Sequence, residues 1–75
     1  GGLTMTTVKT FAVSYTVKVG GITHTDGPSI WRADSNAECL DNVLTRIDLN
    51  LLTEGIDAKT AELEHFNLTI KKVEP

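Results

Sequence analysis

The sequence reads TFAVSYTVKVGGI from residue 10 to residue 22. Apolar and aromatic side chains occupy every odd position from Phe11 to Val19, and small or polar side chains occupy the even positions, which is the period of two of a half-buried strand. The adjacent residues Gly20 and Gly21 supply the positive φ angles that a two-residue hairpin loop requires. We therefore predict a first strand over residues 10–19 with its odd face buried, and a second strand that begins at Ile22.

The second strand is interrupted by the turn-forming residues Asp26-Gly27-Pro28. Because proline cannot donate to a strand ladder, we interpret this segment as a bulge or a loop, after which the strand resumes over residues 29–33. The two alternatives differ in their consequence. A hairpin without a bulge places Ile30 inward and Trp31 outward, and one bulged residue reverses both. The sequence leaves this choice open.

The segment after the hairpin has the pattern of a capped helix. Ser35 as N-cap and Glu38 three residues later fit a capping box. Gly55 supplies a left-handed stop, and Ile56 is placed to fold back on the Leu51 turn in a Schellman ending. We predict a helix of about five turns. The expected core-facing stripe consists of Ala37, Leu40, Leu44, Ile47 and Leu51, with Val43 beside them.

A last strand is predicted from Glu62, where the period of two returns and places Phe66, Leu68 and Ile70 on one face, after a connection over residues 57–61. The resulting order predicts an α+β fold of the ββαβ type, in which one long helix packs on one face of a three- or four-stranded, mainly antiparallel sheet. The second and last strands should run parallel, and the first strand should be central. We expect a single small domain over residues 5–75 and interpret residues 1–4 as a cloning remnant.

Length and charge limit the classes of function. A chain of 75 residues and 8.1 kDa forms one domain, and it buries only about 60% of its surface on folding, so it is marginally stable alone. A net charge of −3 disfavours strong nonspecific binding to nucleic acid or to anionic membranes. No apolar run is long enough for a membrane span. The single cysteine excludes an intrachain disulfide, so we expect a reduced, cytoplasmic location.

Catalytic and metal chemistry are not indicated. His24, His65 and Cys39 are the soft or borderline metal ligands of the chain, and none stands at ligand spacing from another, so we predict no metal site. Cys39 is expected in the first helical turn between acidic residues that oppose a lowered thiol pKa, which favours a structural thiol over a nucleophile. We therefore expect no catalytic residue, no cofactor and no enzymatic activity. A pocket that unites His24, Asp26 and His65 would be the sign of an enzyme.

Two helical leucines lie off the expected stripe, since Leu49 is about 180° and Leu52 about 120° from Leu40. Either the helix ends near Asn50 or the connection over residues 56–61 folds over them, or they form an exposed patch that docks a partner or a second copy. An unpaired strand edge offers the same opportunity. Our leading hypothesis is a non-enzymatic protein-interaction module that forms a homodimer, or binds another protein, through Leu49 and Leu52 or through a strand edge. An accessory or regulatory role in a phage or bacterium fits such a module.

The alternative hypothesis is weak nucleic-acid binding, or inhibition of nucleic-acid machinery, by the outer face of the sheet. Residues 6–33 carry a net charge of +2 and residues 35–55 a net charge of −3, so the sheet side is the more basic side. Binding of single strands by an open sheet face requires aromatic side chains that stack on bases. The contact residues would be Lys18, Arg32, Lys71 and Trp31, and Trp31 can serve only if the hairpin has no bulge.

Overall fold

The computed structural model describes residues 8–73. Its elements are strand β1 (Lys9–Val19), strand β2 (Ile22–Ala33), helix α1 (Asn36–Thr53) and strand β3 (Leu63–Val73). The strands form one sheet of order β2-β1-β3, in which both outer strands run antiparallel to β1. The predicted ββαβ α+β fold is therefore confirmed, with three strands in the described range, β1 in the centre, and β2 parallel to β3. Residues 1–4 lie outside that range.

Strand β1 carries the core of the sheet. Its odd residues are buried as predicted, and they are Phe11, Val13, Tyr15, Val17 and Val19. At the hairpin, Gly20 has a φ of 59° and Gly21 a φ of 78°, the pair of positive angles that a type I′ turn requires. The turn fixes where β2 starts, and the alternation along β1 fixes which face is buried.

Strand β2 is continuous and contains a bulge, so the loop alternative is wrong. The ladder pairs on either side of the irregularity are Val13 with Ser29 and Tyr15 with Asp26. Between these pairs, Gly27 and Pro28 on β2 together oppose the single residue Ser14 on β1. Gly27 has a φ of 98°, and the peptide bond between Gly27 and Pro28 is cis. One extra residue on β2 shifts its alternation by one position beyond the bulge.

The bulge determines the placement of the tryptophan. Trp31 is the ladder partner of Phe11 and therefore lies on the helix side of the sheet, where it packs against the core. Its indole Nε1 donates a hydrogen bond of 3.2 Å to the Ser29 hydroxyl. Ile30 faces the other side and is 65% exposed. The orientation that applies to a hairpin without a bulge, with Ile30 inward and Trp31 outward, is wrong.

Both ends of α1 are capped largely as the sequence predicts. The Ser35 hydroxyl accepts a hydrogen bond of 3.1 Å from the backbone N–H of Glu38, which is one of the two bonds of the predicted capping box. The reciprocal bond from the Ser35 N–H to the Glu38 carboxylate is not formed among residues 8–73. At the other end, Gly55 has a φ of 80°. The backbone N–H of Ile56 then donates to the carbonyl of Leu51 at 2.9 Å, as in a Schellman ending, and Ile56 packs against the core.

The buried stripe of α1 differs from the predicted one. The buried helical residues are Cys39, Val43, Ile47 and Leu51. The prediction is wrong at Ala37, Leu40 and Leu44, which are exposed. The difference has a physical cause, because Asn50 Nδ2 donates a hydrogen bond of 2.9 Å to the hydroxyl of Tyr15 on β1. Asn50 lies about 20° from Val43 around the helix, so this bond holds the Val43 side on the sheet and turns Leu40 and Leu44 to one flank.

Candidate interaction surface

Strand β3 presents an incompletely covered apolar face. Its inward residues pair with buried residues of β1, namely Phe66 with Val17, Leu68 with Tyr15, and Ile70 with Val13. Directly opposed residues of an antiparallel pair lie on the same face, so the predicted face of β3 does point to the helix side. Nevertheless, Phe66 is 42% exposed, whereas its partner Val17 is 0% exposed. The helix therefore covers β1 fully and leaves part of β3 open.

We use the term β3 flank for the exposed apolar residues on this side of the molecule. They are Leu40, Leu44, Leu63 and Phe66, with exposed fractions of 39%, 37%, 40% and 42%. Leu68 and Ile70 are half-buried and pack against the core from the same strand. This surface is not predicted from the sequence, because the spacing of Leu40 and Leu44 places both in the expected buried stripe of α1, whereas the structure exposes them.

The direction in which Leu40 and Leu44 point can be inferred from the residues on the opposite flank of α1. That flank faces β2 across a groove of about 380 Å³, which is lined by Trp31, Arg32, Asn42, Thr45, Arg46 and Leu49. Around the helix, Leu40 lies about 120° and Leu44 about 160° from Arg46. Because β1 separates β2 from β3 in the sheet, a side chain turned away from β2 across the helix is turned to the β3 side.

The outer edge of β3 adjoins this flank. Among residues 8–73, strand β3 pairs with β1 alone, so its other edge has no strand partner in the described part of the chain. We call residues 65–73 the β3 edge. The edge contains neither glycine nor proline, and the pairing of β3 with β1 is regular over this length. The register shift of this pair lies at Glu64, just before the edge. In contrast, β2 carries a bulge with Pro28 at mid-strand, a feature that protects sheet edges from further pairing.

The predicted contact residues Leu49 and Leu52 are exposed, with exposed fractions of 51% and 53%. Both accounts that bury them are wrong, because α1 continues to Thr53 and neither leucine is covered by the connection after it. Leu49 lines the groove toward β2, and Leu52 lies about 180° from Val43, on the side of the helix that faces away from the sheet. Neither belongs to the β3 flank, and their part in binding stays a prediction.

The outer sheet face lacks the stacking residue that nucleic-acid binding requires. Lys18, Arg32 and Lys71 occupy register positions on this face. The prediction for Trp31 is wrong, since the bulge turns it to the helix side. The other aromatic residues, Phe11, Tyr15 and Phe66, also lie on the helix side. In addition, Lys18 Nζ lies 3.7 Å from Glu64 Oε2, which offsets one of the three positive charges.

His24, Asp26 and His65, whose convergence in one pocket would indicate an enzyme, do not lie together. His24 and Asp26 line a cavity of about 430 Å³ between β2 and the last turns of α1. His65 is the ladder partner of Lys18 and lies on the opposite face of the sheet. Within the cavity, His24 Nε2 is buried without a hydrogen-bond partner in the described part of the chain.

Cys39 is a core residue with an exposed fraction of 0%. Burial raises the pKa of its thiol, and the negative charge of Glu38 raises it further. Because both effects favour the protonated thiol, Cys39 is a poor nucleophile at neutral pH. Across residues 8–73, no group of three or more His, Cys, Asp or Glu side chains is arranged to hold a metal ion.

No family model, characterised protein or solved structure shows significant similarity to the chain. In the described part of the chain, no helix has the length and apolar character needed to cross a lipid bilayer. The functional proposal therefore rests on the geometry of the β3 flank and the β3 edge.

Proposed function

We propose that the chain is a small non-enzymatic protein-interaction module that self-associates as a homodimer through the β3 flank and the β3 edge. The observation that supports this proposal is that the β3 flank and the β3 edge are adjacent surfaces. Among residues 8–73, the outer edge of β3 pairs with no other strand, and the exposed apolar residues of the β3 flank lie on the helix side of the sheet, beside this edge. A second copy that pairs with the edge also covers the apolar side chains beside it.

The physical reason for association is the small size of the domain. A single helix covers one face of a three-stranded sheet only in part, and a domain of this length has little core to spare. Full burial of an exposed Leu or Phe side chain contributes about 1.5–3 kcal/mol. Because Leu40, Leu44 and Phe66 are 39%, 37% and 42% exposed, covering each of them contributes less than half of that amount. Strand addition supplies main-chain hydrogen bonds that orient the contact.

Sedimentation equilibrium tests the proposal with two matched double variants. We expect the wild-type chain to sediment as a dimer within a range of about 5 to about 500 µM. The variant Leu40→Glu with Leu44→Glu places two charges in the proposed interface and should sediment as a monomer. The variant Leu49→Glu with Leu52→Glu makes the same chemical change on the same helix outside the β3 flank and should remain dimeric. Circular dichroism checks that both variants keep the fold.

The results for the wild-type chain and the two double variants show which surface, if any, forms the dimer contact. A wild type that remains monomeric at about 500 µM removes the homodimer proposal. If the Leu49 and Leu52 variant becomes monomeric while the Leu40 and Leu44 variant stays dimeric, the contact is the outer helix surface predicted from the sequence, and the β3 flank is excluded as the interface.

A further inference from the structure

We propose that the groove between α1 and β2 binds a short acidic segment of a partner protein. Carboxylates of this segment pair with Arg46 and Arg32, and an apolar side chain of the same segment packs on Trp31 and Leu49. We use the term β2 groove for this surface, which has a volume of about 380 Å³. It is lined by Trp31, Arg32, Asn42, Thr45, Arg46 and Leu49. The β2 groove lies on the opposite side of α1 from the β3 flank, so this inference does not depend on the homodimer.

The β2 groove brings together residue types that contribute most to binding between proteins. Its lining includes Trp31, the single tryptophan of the chain, and Arg32 and Arg46, its two arginines. Tryptophan and arginine are enriched among the few residues that dominate the binding energy of interfaces. Leu49 adds apolar surface, because its side chain is 51% exposed. The β2 groove therefore offers a partner both charge and apolar contact.

The β2 groove is positively charged although the chain has a net charge of −3. Of residues 8–73, no acidic one lines it, and neither arginine forms an ion pair within that range. Around α1, Asp41 lies about 140° and Asp48 about 160° from Arg46. Glu38, at the start of the helix, lies about 12 Å from Arg46 along the axis. The two arginines are thus available for an anionic ligand.

The two arginines occupy different positions relative to the groove. Arg46 lies about 60° around the helix from the buried Val43, on the flank that faces β2. Arg32 has its register position on the outer face of the sheet, but among residues 8–73 β2 is an edge strand, and Arg32 also lines the groove. A guanidinium group binds a carboxylate with two parallel hydrogen bonds. We expect Arg46 to make the main contact and Arg32 to contribute from the rim.

The aromatic side of the groove is held in place before any ligand binds. Trp31 is half-buried and packs against the core, and its Nε1 donates the hydrogen bond of 3.2 Å to the Ser29 hydroxyl. A side chain that is already fixed in the free protein loses little conformational entropy on binding. Trp31 therefore provides a preformed apolar contact, which a peptide side chain can use and an inorganic anion cannot.

A short acidic segment fits the β2 groove better than a nucleic acid does. Two arginines neutralise few phosphates, and the net negative charge of the chain repels a long polyanion. At physiological ionic strength, exposed charges separated by more than about 8 Å are largely screened from each other. One or two carboxylates within the groove therefore interact mainly with the arginines that line it.

The fluorescence of Trp31, the single tryptophan, measures binding to the full chain. The probe is the acetylated and amidated peptide Glu-Leu-Glu-Leu-Glu, and the comparison peptide Gln-Leu-Gln-Leu-Gln has the same length without the charges. We expect the acidic peptide to change the emission of Trp31 with a Kd of about 1 mM or below at low salt. The neutral peptide should bind about tenfold more weakly or less, because it cannot form charge-assisted hydrogen bonds.

Matched variants locate the contact. Arg46→Gln should weaken binding of the acidic peptide about tenfold and Arg32→Gln by a smaller factor. Lys59→Gln removes the same charge at an exposed position outside the groove and should have little effect. Leu49→Ala should weaken binding about threefold, whereas Leu52→Ala, the same change on the side of α1 that faces away from the sheet, should not. Circular dichroism checks that each variant keeps the fold.

The contrary results are equally specific. Absence of binding at about 5 mM acidic peptide overturns the site, and so do equal losses with Arg46→Gln and Lys59→Gln. If inorganic phosphate displaces the peptide at an equal concentration, or if an oligothymidylate strand binds more tightly than the peptide, the assignment to an acidic protein segment is overturned.

Sedimentation equilibrium separates this inference from the homodimer. The Arg46→Gln variant should associate like the wild-type chain. If this variant alone becomes monomeric, the β2 groove is a contact between copies, and a site for a separate partner is overturned. A monomeric wild-type chain that binds the acidic peptide through Arg46 removes the homodimer proposal and supports the β2 groove.

Discussion

Among the glycine residues with positive φ, Gly27 leaves the least room for a side chain. Its φ of 98° lies in a region that residues with a side chain rarely adopt, and a Cβ built there would overlap the Val13 carbonyl oxygen and lie 2.8 Å from the Ser14 Cα. The overlap is with backbone of the central strand, which cannot move without breaking the ladder. We expect Gly27→Ala to lower the free energy of unfolding by about 2 kcal/mol or more, measured by urea denaturation.

Gly20 provides the matched control for Gly27. Its φ is also positive, at 59°, but a Cβ there meets nothing within 4 Å. Gly20→Ala therefore measures the cost of the backbone conformation alone, about 1 kcal/mol. Equal effects of the two substitutions would show that the bulge does not approach β1 as closely as described.

Helix α1 is capped at its N-terminus by Ser35, which lies in the short segment between β2 and α1. The Ser35 hydroxyl satisfies the backbone N–H of Glu38, one of the helix donors that lack an intrahelical partner. We expect Ser35→Ala to cost about 1 kcal/mol in the free energy of unfolding and Ser35→Gly only a few tenths, since glycine lets water reach the donor. Thr45→Ala, at an exposed mid-helix position, should be neutral or slightly stabilising. If Ser35→Ala is as harmless as Thr45→Ala, the hydroxyl does not act as a cap.

Some features of the helix and the strands depend only on residues that are adjacent in sequence, and these features can be predicted from the sequence. The hairpin at Gly20 and the ending at Gly55 are confirmed because each depends on a few adjacent residues. The sequence leaves the orientation of Trp31 open because a bulge and a loop share the same turn residues, and only the ladder with β1 separates them. The predicted stripe of α1 is wrong at Leu40 and Leu44, because the hydrogen bond from Asn50 to Tyr15 joins residues 35 positions apart and is not encoded in the helical pattern. The β3 flank cannot be predicted from the sequence for the same reason.

At the scale of the whole molecule, the three-stranded sheet has two edges of unequal character. The bulge of β2 limits further pairing on one side, whereas residues 65–73 of β3 pair regularly with β1 and have no second strand partner in the described part of the chain. This edge lies beside exposed Leu40, Leu44 and Phe66. In the proposed homodimer, one partner covers both the edge and the apolar face that the helix leaves open. If this proposal is correct, the stability of the fold depends on protein concentration.

Thermal unfolding at different protein concentrations tests this dependence. For a dimer that unfolds to separate chains, a rise in concentration from about 5 µM to about 500 µM favours the folded state by about 2.7 kcal/mol per dimer. For a folded unit of this size, the unfolding midpoint should rise by about 5 to 10 °C. The Leu40→Glu and Leu44→Glu double variant should show no such rise, and the Leu49→Glu and Leu52→Glu double variant should retain it. If the unfolding midpoint of the wild-type chain does not change with protein concentration, the chain is a folded monomer. The β3 flank then does not stabilise the fold by binding a second copy.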